Sequence, residues 1–286
     1  MPGLAVVVVS YNNWAVLERC LAAAQSVCDA LGAELIVVDN DSPDRSADRV
    51  AEKFPRARLF RRPNKGFAAG VNWGVAATSA SRILLLNPDC ILDGTTALQT
   101  CLDSLDADPR AAAISCHAVD GEGVPYLPCR AFPTLKNYLL ERFDALPPYP
   151  PPHGGPPRPV AVDTITGAFF LLKREAWAEI GPFDEGFFLY FEETDWCWRA
   201  WQAGWRILHD PRVTVLHLGG QSTKTAGGGD VARPLLLTAY LDSRERFWRK
   251  CYGAMATLGM RAASIAMSAP SLVASLMKRD SRRQSL

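Results

Sequence analysis

Apolar residues in the first half of the chain come in short closed runs, each cut off by a polar turn. Residues 4–9 are a β-branched run that reads as a buried strand. It stops at Ser10-Tyr11-Asn12-Asn13, where Asn12 or Asn13 suits a helix start. Leu17, Leu21, Ala24 and Cys28 then recur at helical spacing. Residues 34–38 form a second short strand, ending in the turn formers Asp39-Asn40-Asp41-Ser42-Pro43. Residues 58–61 read as a third, more exposed strand, followed by Asn64-Lys65-Gly66-Phe67 and a helix. Residues 82–86 are a fourth, apolar throughout after Arg82. Pro88 lacks an N–H and holds Asn87 extended, so this strand ends by delivering Asp89 at its edge. Strand–helix alternation of this kind predicts an α/β fold, a mostly parallel sheet with helices on both faces.

The pattern loosens afterwards. Residues 118–160 carry little periodicity and many prolines, concentrated at 147–157, and predict a surface excursion, with 126–132 as a loop over a cleft. Residues 162–172 read as one strand in which Gly167 allows close approach. Residues 174–180 read as a short helix ended by Gly181-Pro182. An aromatic stretch, 183–191, leads into Glu192-Glu193-Thr194-Asp195. Trp196, Arg199, Ala200 and Ala203 continue at helical spacing. Residues 206–208 and 213–216 read as strands, with His217 at the end of the second. Gly219-Gly220 and Ala226-Gly227-Gly228-Gly229 suggest a mobile loop able to close over a ligand. From residue 231 the chain looks helical. The expected division is a domain over 1–225, carrying the excursion at 118–160, and a helical basic extension over 231–286.

Composition changes this picture in two places. The chain of 286 residues is 48% hydrophobic and 21% charged, which is ordinary for a globular protein. Its net charge of +1 gives no whole-chain case for nucleic acid, yet from Tyr240 onward nine basic residues face three acids. With Arg261 and Pro270 interrupting the apolar stretch from Ala254 to Met277, the tail predicts amphipathic helices. Two roles suit them equally: lying on an anionic membrane surface, or packing on the catalytic domain or a second copy of the chain. The eight cysteines are scattered without a C-x-x-C pair, and the N-terminus has no charged n-region. A reducing cytoplasm follows as the default, with a peripheral position on the inner face of the plasma membrane if the tail binds lipid.

The polar stops are the chemistry. Ser10, Tyr11 and Asn12, then Asp39, Asn40 and Ser42, then Asn64, Gly66 and Phe67, and finally Asn87 and Asp89 all fall at strand ends on one sheet edge, where open α/β sheets bind ligands. Together they supply acceptors for a base and ribose, a glycine turn and helix start for phosphates, and a carboxylate for a hard cation. There is neither a G-x-G-x-x-G nor a G-x-x-x-x-G-K motif. Glu192, Glu193 and Asp195 at a helix start are favoured by the helix dipole in any case. Their aromatic surroundings make acids costly there unless they are used. Glu192 and Asp195, three apart, share a face; Glu193 points about a hundred degrees away.

Val-Ser-Tyr-Asn (9–12), Val-Asp-Asn-Asp-Ser (38–42), Asn-Lys-Gly-Phe-Ala-Ala-Gly-Val-Asn (64–72) and Leu-Asn-Pro-Asp (86–89) resemble the motif series of glycosyltransferase family 2. The likeness continues through Thr-Gly-Ala-Phe-Phe-Leu (166–171), Gly-Pro-Phe-Asp-Glu (181–185), Phe-Phe-Leu-Tyr-Phe-Glu-Glu-Thr-Asp (187–195) and His-Leu-Gly-Gly-Gln-Ser (217–222), and is nearest to the branch labelled rhamnosyltransferase. The resemblance implies a GT-A fold and an inverting hexosyltransferase using a nucleotide-diphosphate sugar and Mg²⁺ or Mn²⁺. It also implies a saccharide acceptor, plausibly lipid-linked, in cell-wall or surface-polysaccharide synthesis. It further implies roles for residues: Asp89 and His217 at the metal or its diphosphate, Asn72 and Gly167 in the donor site, and Glu193 as the base, with Asp195 the other catalytic candidate. Two departures stand out. The family's commoner D-x-D is Asn87-Pro88-Asp89 here, with one carboxylate, and the position of Glu193 is often Asp. Two rival readings are a sugar-nucleotide pyrophosphorylase, for which Ser10 to Trp14 is the wrong loop, and a catalytically silent sugar-nucleotide or glycan-binding module.

Overall fold

The computed structural model describes residues 3–126, 128–142, 145, 147, 149–150, 155–218 and 232–283, without the side chains of 141–142, 232–233 and 268–283. Four strands, β1 (Leu4–Ser10), β2 (Glu34–Asp39), β3 (Arg58–Arg61) and β4 (Arg82–Leu86), lie in the order β3-β2-β1-β4 and are all parallel. The helices between them are α1 (Trp14–Leu31), α2 (Ser46–Lys53) and α3 (Phe67–Ala76). Each strand falls within two residues of where the hydrophobic runs predict it. All seven residues of β1 are buried, as expected of a strand covered on both faces.

The first turn of α1 is capped from outside. The Trp14 N–H donates to Asp44 Oδ2 at 3.1 Å, and Asp44 Oδ1 accepts from Ser46 N–H at the start of α2. One side chain thus ties two helix starts together beneath the crevice. In α3, Gly70 and Gly74 form the face that meets the sheet. A Cβ on Gly70 would lie 2.6 Å from Val9 Cγ1, and one on Gly74 would lie 2.3 Å from Val7 Cγ1. Only a helix without side chains there can sit this close to β1.

The second half departs from the simple alternation. After β5 (Cys90–Ile91) and α4 (Thr96–Ala107) comes β6 (Ala111–Val119), a buried strand. It is poorly marked in sequence because Ala111, Ala112 and Ala113 lack β-strand bias. Residues 118–160, patternless in sequence, hold the end of β6, β7 (Pro125–Tyr126), β8 (Cys129–Arg130) and α5 (Leu135–Arg142). Of the proline run at 147–157, residues 148 and 151–154 lie outside the described residues. The single strand expected over 162–172 is broken into β9 (Val160–Val162), β10 (Thr164–Ile165) and β11 (Phe169–Lys173). Asp163 leaves the ladder to accept the Phe132 N–H at 2.8 Å, and the turn at 166–168 carries Gly167 toward the next helix. Strand β11 pairs antiparallel with both β4 and β6. After α6 (Arg174–Ile180) and α7 (Glu192–Gln202), the two strands expected at 206–208 and 213–216 are one, β12 (Arg206–His217). Its register against β6 shifts between Asp210 and Thr214.

Helix α7 is anchored by Trp196, which is fully buried. Its ring meets Phe170 of β11 at 5.5 Å, and its indole N–H donates to Gly181 O at 2.9 Å. Helix α8 (Ala232–Arg283) follows, with non-helical backbone at Gly253.

The chain divides into two compact units, residues 1–132 with 149–243, and residues 133–148 with 244–286. In the second, Arg261 Nε reaches Glu245 Oε2 at 3.0 Å across Gly253, and Tyr138 Oη lies 2.8 Å from Ser264 Oγ. The two arms of α8 on either side of Gly253 therefore fold back on one another as a hairpin. Among the described residues, no helix is long and apolar enough to cross a membrane.

Candidate active site

The parallel ladder sets the first wall of the crevice. Ser10 at the end of β1 pairs in register with Asp39 at the end of β2, and Asp39 with Arg61 at the end of β3. The Ser10 hydroxyl faces Asp39 Oδ2 at 3.4 Å, and Asp39 Oδ1 accepts the Ser42 N–H at 3.0 Å. The Ser42 hydroxyl in turn accepts the Asn12 N–H at 3.0 Å. Asn12 and Asp41 both adopt left-handed backbone, with φ of 51° and 64°, a conformation Asn and Asp tolerate better than other side chains. Tyr11 stands exposed beside this wall. A cleft of about 350 Å³ opens here, lined by Asp39, Asp41, Ser42, Arg45, Arg61, Arg62 and Pro63 among others. The three arginines were not singled out from sequence. For Arg61 and Arg62 the signal was the Arg61-Arg62-Pro63 run, placed beside Asp39 by strand register; Arg45 lies just before α2.

Asn40, Asn64 and Gly66 form one turn against α3. Asn40 Nδ2 donates to Gly66 O at 3.1 Å, and the Gly66 N–H to Asn64 Oδ1 at 3.1 Å. The Phe67 N–H goes to Phe188 O at 2.9 Å. Two N–H groups at the start of α3 are therefore already bonded within the chain, and the helix start holds the aromatic loop. Asn72, expected in the donor site, is one more fastener of that loop. Its amide donates to Phe183 O and to Glu185 Oε1, both at 3.0 Å, and its oxygen accepts the Phe183 N–H.

The opposite wall comes from the mixed half of the sheet. Strand β5 pairs antiparallel with the end of β12, which sets His217 against Cys90 and hence beside Asp89. Asp89 is 4% exposed, and its Oδ1 lies 3.0 Å from His217 Nε2. Strand β7, paired with β6, brings the Tyr126 hydroxyl onto His217 Nδ1. Nε2 of the imidazole thus faces the Asp89 carboxylate and Nδ1 the Tyr126 phenol. Among the described residues no group of three or more His, Cys, Asp or Glu is arranged to hold a metal ion. A carboxylate oxygen and an imidazole nitrogen fit the partial protein shell of a Mg²⁺ or Mn²⁺ ion that takes its remaining oxygens from a diphosphate and water.

Between the walls sits the acid pair. Glu193 Oε1 accepts the Gly167 N–H at 2.9 Å. A Cβ on Gly167 would lie 3.4 Å from Asn87 Oδ1 and 3.4 Å from Phe67 Cε1, so Glu193, Asn87 and Phe67 converge on one point. The residues leading into α7, Tyr190 and Phe191, both have positive φ, 70° and 69°. Such backbone is strained for bulky side chains and is held only where packing enforces it. Here Tyr240 packs against Phe191 at 5.5 Å, and the Ser243 hydroxyl donates to Leu189 O at 2.8 Å.

Glu192 and Glu193 do not share one state. Glu192 is 2% exposed, and burial, with the neighbouring Glu193 charge, pushes its carboxyl well above the usual range. Burial also raises Glu193, but its own N–H, the Gly167 N–H, the Glu192 carboxyl and the Arg130 charge oppose that rise. The proton therefore stays on Glu192, and Glu193 is the carboxylate that ionises first. Asp195 is placed differently. It is fully buried and accepts from Arg199 Nε at 2.9 Å, while the rest of that guanidinium bonds Ile180 O and Pro182 O. That network staples α7 to the end of α6. The glycines at 219–220 and 226–229 lie outside the described residues.

A mostly parallel sheet with an acidic and hydroxyl-lined edge, an antiparallel insertion, an Asp–His pair and a buried acid pair is the architecture of the GT-A class of fold. Residues 5–181 match the family model described as Glycosyl transferase family 2, and the chain belongs to that family. It is 28% identical to the N-acetylglucosaminyl-diphospho-decaprenol L-rhamnosyltransferase of Mycobacterium tuberculosis, over 98% of this chain and 96% of that one. It is 26% identical to rhamnosyltransferase WbbL of Escherichia coli, over 47% of this chain and 51% of the relative. Among solved structures it resembles the mannosyltransferase PcManGT of Pyrobaculum calidifontis in complex with GDP-Man and Mn²⁺, with a TM-score of 0.54 and 18% identity. That likeness covers 100% of this chain and 81% of the other. It also resembles GalNAc-T7 with UDP, GalNAc and Mn²⁺, with a TM-score of 0.56 and 16% identity, over 75% of this chain and 43% of that one.

Proposed function

We propose that this glycosyltransferase moves a hexose, with rhamnose the leading candidate, from a nucleotide-diphosphate donor to a hydroxyl of a lipid-linked saccharide, inverting the anomeric centre. The observation that carries the reading is the convergence of Glu193 Oε1, Asn87 and Phe67 around Gly167, with the Asp89–His217 pair at the end of the adjacent strand. Asp39, Ser10 and Ser42, with Asn12 and Tyr11 beside them, hold the nucleoside in the cleft. Asn40, Asn64 and Gly66 form the turn that leads into α3, and Asn72 fixes the aromatic loop. Asp89 and His217 would hold the divalent ion, which supplies counter-charge to the diphosphate as it leaves.

Glu193 takes the acceptor proton. A sugar hydroxyl is a poor nucleophile, and a carboxylate with a raised affinity for protons is a better base than an ordinary one. The Gly167 N–H fixes Oε1 of Glu193 and so sets the orientation of the carboxylate. Single displacement at the anomeric carbon, with Glu193 as the base, accounts for inversion. Among the relatives, the printed name from M. tuberculosis supports the lipid-linked acceptor and the rhamnosyl group. Cell-wall or surface-polysaccharide synthesis on the inner face of the plasma membrane is the corresponding setting.

The test is a thermal-shift panel of nucleotide sugars with and without Mn²⁺, followed by transfer to diphospholipid-linked sugars. A bound donor raises the melting point by mass action. Stabilisation by one nucleotide sugar, deepened by Mn²⁺, is the expected result. Binding without any hydrolysis or transfer would leave a silent sugar-nucleotide module as the better account.

A further inference from the structure

We propose that Arg130 and Trp201 form the acceptor subsite, Arg130 taking the diphosphate and Trp201 the first apolar stretch of a glycosyl diphosphate carried on a lipid. The proposal rests on the glycosyl-transfer reading above and goes beyond it by assigning side chains to the acceptor.

Strands β8 and β10 pair with Arg130 opposite Thr164 and Cys129 opposite Ile165, and the Thr166 N–H donates to Pro128 O at 2.8 Å. Tyr126 therefore lies at the Asp89–His217 pair, while Pro128, Cys129 and Arg130 run beside the strand that leads into Gly167. Directly opposed residues of an antiparallel pair present their side chains on one face. The Thr164 side chain bonds Cys197, one helical turn beyond Glu193. Arg130 thus stands on the α7 side, where its charge reaches the Glu193 carboxylate.

Arg130 is exposed and makes no hydrogen bond or ion pair among the described residues. The arginine of α7, Arg199, is by contrast wholly engaged with Asp195 and backbone carbonyls. A guanidinium left unpaired beside a base is suited to a bidentate anion, and a diphosphate matches that fork.

The apolar end follows along the same helix. Glu193, Cys197 and Trp201 recur every four residues and share a face. At 1.5 Å per residue, Trp201 lies about 12 Å beyond the base. It is 57% exposed, and Phe132, two residues after Arg130, meets the rings of Trp198 and Trp201 at 4.9 and 6.4 Å. Base, cation and exposed indole therefore occur in the order hydroxyl, diphosphate, hydrocarbon. A neutral polysaccharide would leave the cation unmatched, and free phosphate would leave the indole unmatched.

Farnesyl diphosphate probes the subsite without requiring the identity of the sugar. The full-length protein is titrated by calorimetry with saturating nucleoside diphosphate present, so that the donor site is filled. Saturable binding of farnesyl diphosphate is expected, tighter than that of farnesol or inorganic pyrophosphate. Arg130→Gln should weaken it at least about tenfold, Arg130→Lys by less, and Trp201→Ala several-fold, with nucleoside diphosphate affinity unchanged. Both positions are exposed, so the variants fold. Displacement of the probe by nucleoside diphosphate would mean that Arg130 serves the donor, and would overturn the proposal. So would equal binding by wild type and Arg130→Gln, or absence of saturable binding. A protein that binds farnesyl diphosphate as described but is stabilised by no nucleotide sugar would keep the subsite and remove the glycosyl-transfer reading instead.

Discussion

Gly167 donates its backbone N–H to Glu193 Oε1 at 2.9 Å, and a Cβ at Gly167 would come within 2.8 Å of that same oxygen. The two residues are fitted so that the base is held by a backbone group with no side chain in the way. The clash in Gly167→Ala is with the far end of a flexible side chain, so the fold should accept it at a cost within ~1 kcal/mol. The carboxylate must move, and misplacement of a catalytic group by a fraction of an ångström costs about ten- to a hundredfold in turnover. Thermal melts alongside transfer assays check this; a fully active variant would detach Gly167 from the positioning of the base.

Glu193→Gln and Asp195→Asn should fail in different ways. The first keeps the Gly167 hydrogen bond, so it should fold and bind donor like wild type while losing on the order of a hundredfold or more in turnover. The second removes the carboxylate that pairs with Arg199 in a fully buried position. Breaking such a pair costs about 3–5 kcal/mol in stability. Urea melts and donor titrations of both variants separate the roles. An inactive but fully stable Asp195→Asn would make Asp195 the base.

The first half of this fold was legible because each strand is a burst of β-branched or leucine residues between polar turns. Arg82–Leu86 and Arg58–Arg61 could be bounded to the residue. The mixed half was not. The alanines that open β6 carry no strand signal, and their burial comes from β11 and β12 on either side. Asp163 breaks the run at 162–172 through a partner 31 residues away, Phe132, which no local pattern encodes. The strand ends on the parallel edge could be read as a site because register follows from parallel order. Asn72 looked equivalent to them, yet its amide is committed to Phe183 and Glu185, more than a hundred residues on in the chain. Tyr126 and Arg130 fell in a stretch without periodicity, and only the pairing of β7 and β8 places them beside His217 and Glu193.

Asp89→Asn should abolish turnover and remove the extra stabilisation that Mn²⁺ gives a bound nucleoside diphosphate, since the remaining imidazole alone cannot counter the diphosphate charge. Removing the metal with EDTA should do the same to wild type. Calorimetry of nucleoside diphosphate with and without Mn²⁺ measures it directly. If both the variant and the metal-free enzyme turn over normally, the role given to Asp89 is wrong.

The second arm of α8 presents Met255, Leu258 and Ile265 as exposed apolar residues at helical spacing, and its first arm carries Arg244, Arg246, Arg249 and Lys250. The distal basic residues, Lys278, Arg279, Arg282 and Arg283, lie outside the described side chains. We expect the full-length protein to sediment with anionic vesicles at low salt and to be released at high salt, at roughly 1 kcal/mol per basic residue near the surface. Deletion after Arg249 should abolish sedimentation while leaving donor binding intact. A protein that ignores the vesicles but changes oligomeric state on deletion would assign this face to a second copy of the chain.

The last prediction concerns stability and pH. His209 on β12 is 1% exposed, and its Nε2 lies 3.2 Å from His117 Nδ1. Burial, reinforced by His117 and opposed by Asp210, pushes the His209 imidazole down from 6.5 to about 4. Burial lowers His117 as well. Unfolded, these rings take up protons near 6.5; folded, they resist until lower pH. Between about pH 6.5 and 4 the unfolded chain therefore binds more protons, and the folded state loses stability as pH falls through that window. Asp210, whose carboxyl Arg212 and Ser104 hold low despite its burial, adds a loss only at more acidic pH still. Each titrating ring contributes a slope of up to about 1.4 kcal/mol per pH unit. His209→Asn, which cannot titrate, should be less stable than wild type at pH 7 but show a shallower fall between pH 6.5 and 4. Urea melts at closely spaced pH values read the slope, and an unchanged slope in the variant would mean that His209 is not the group that titrates.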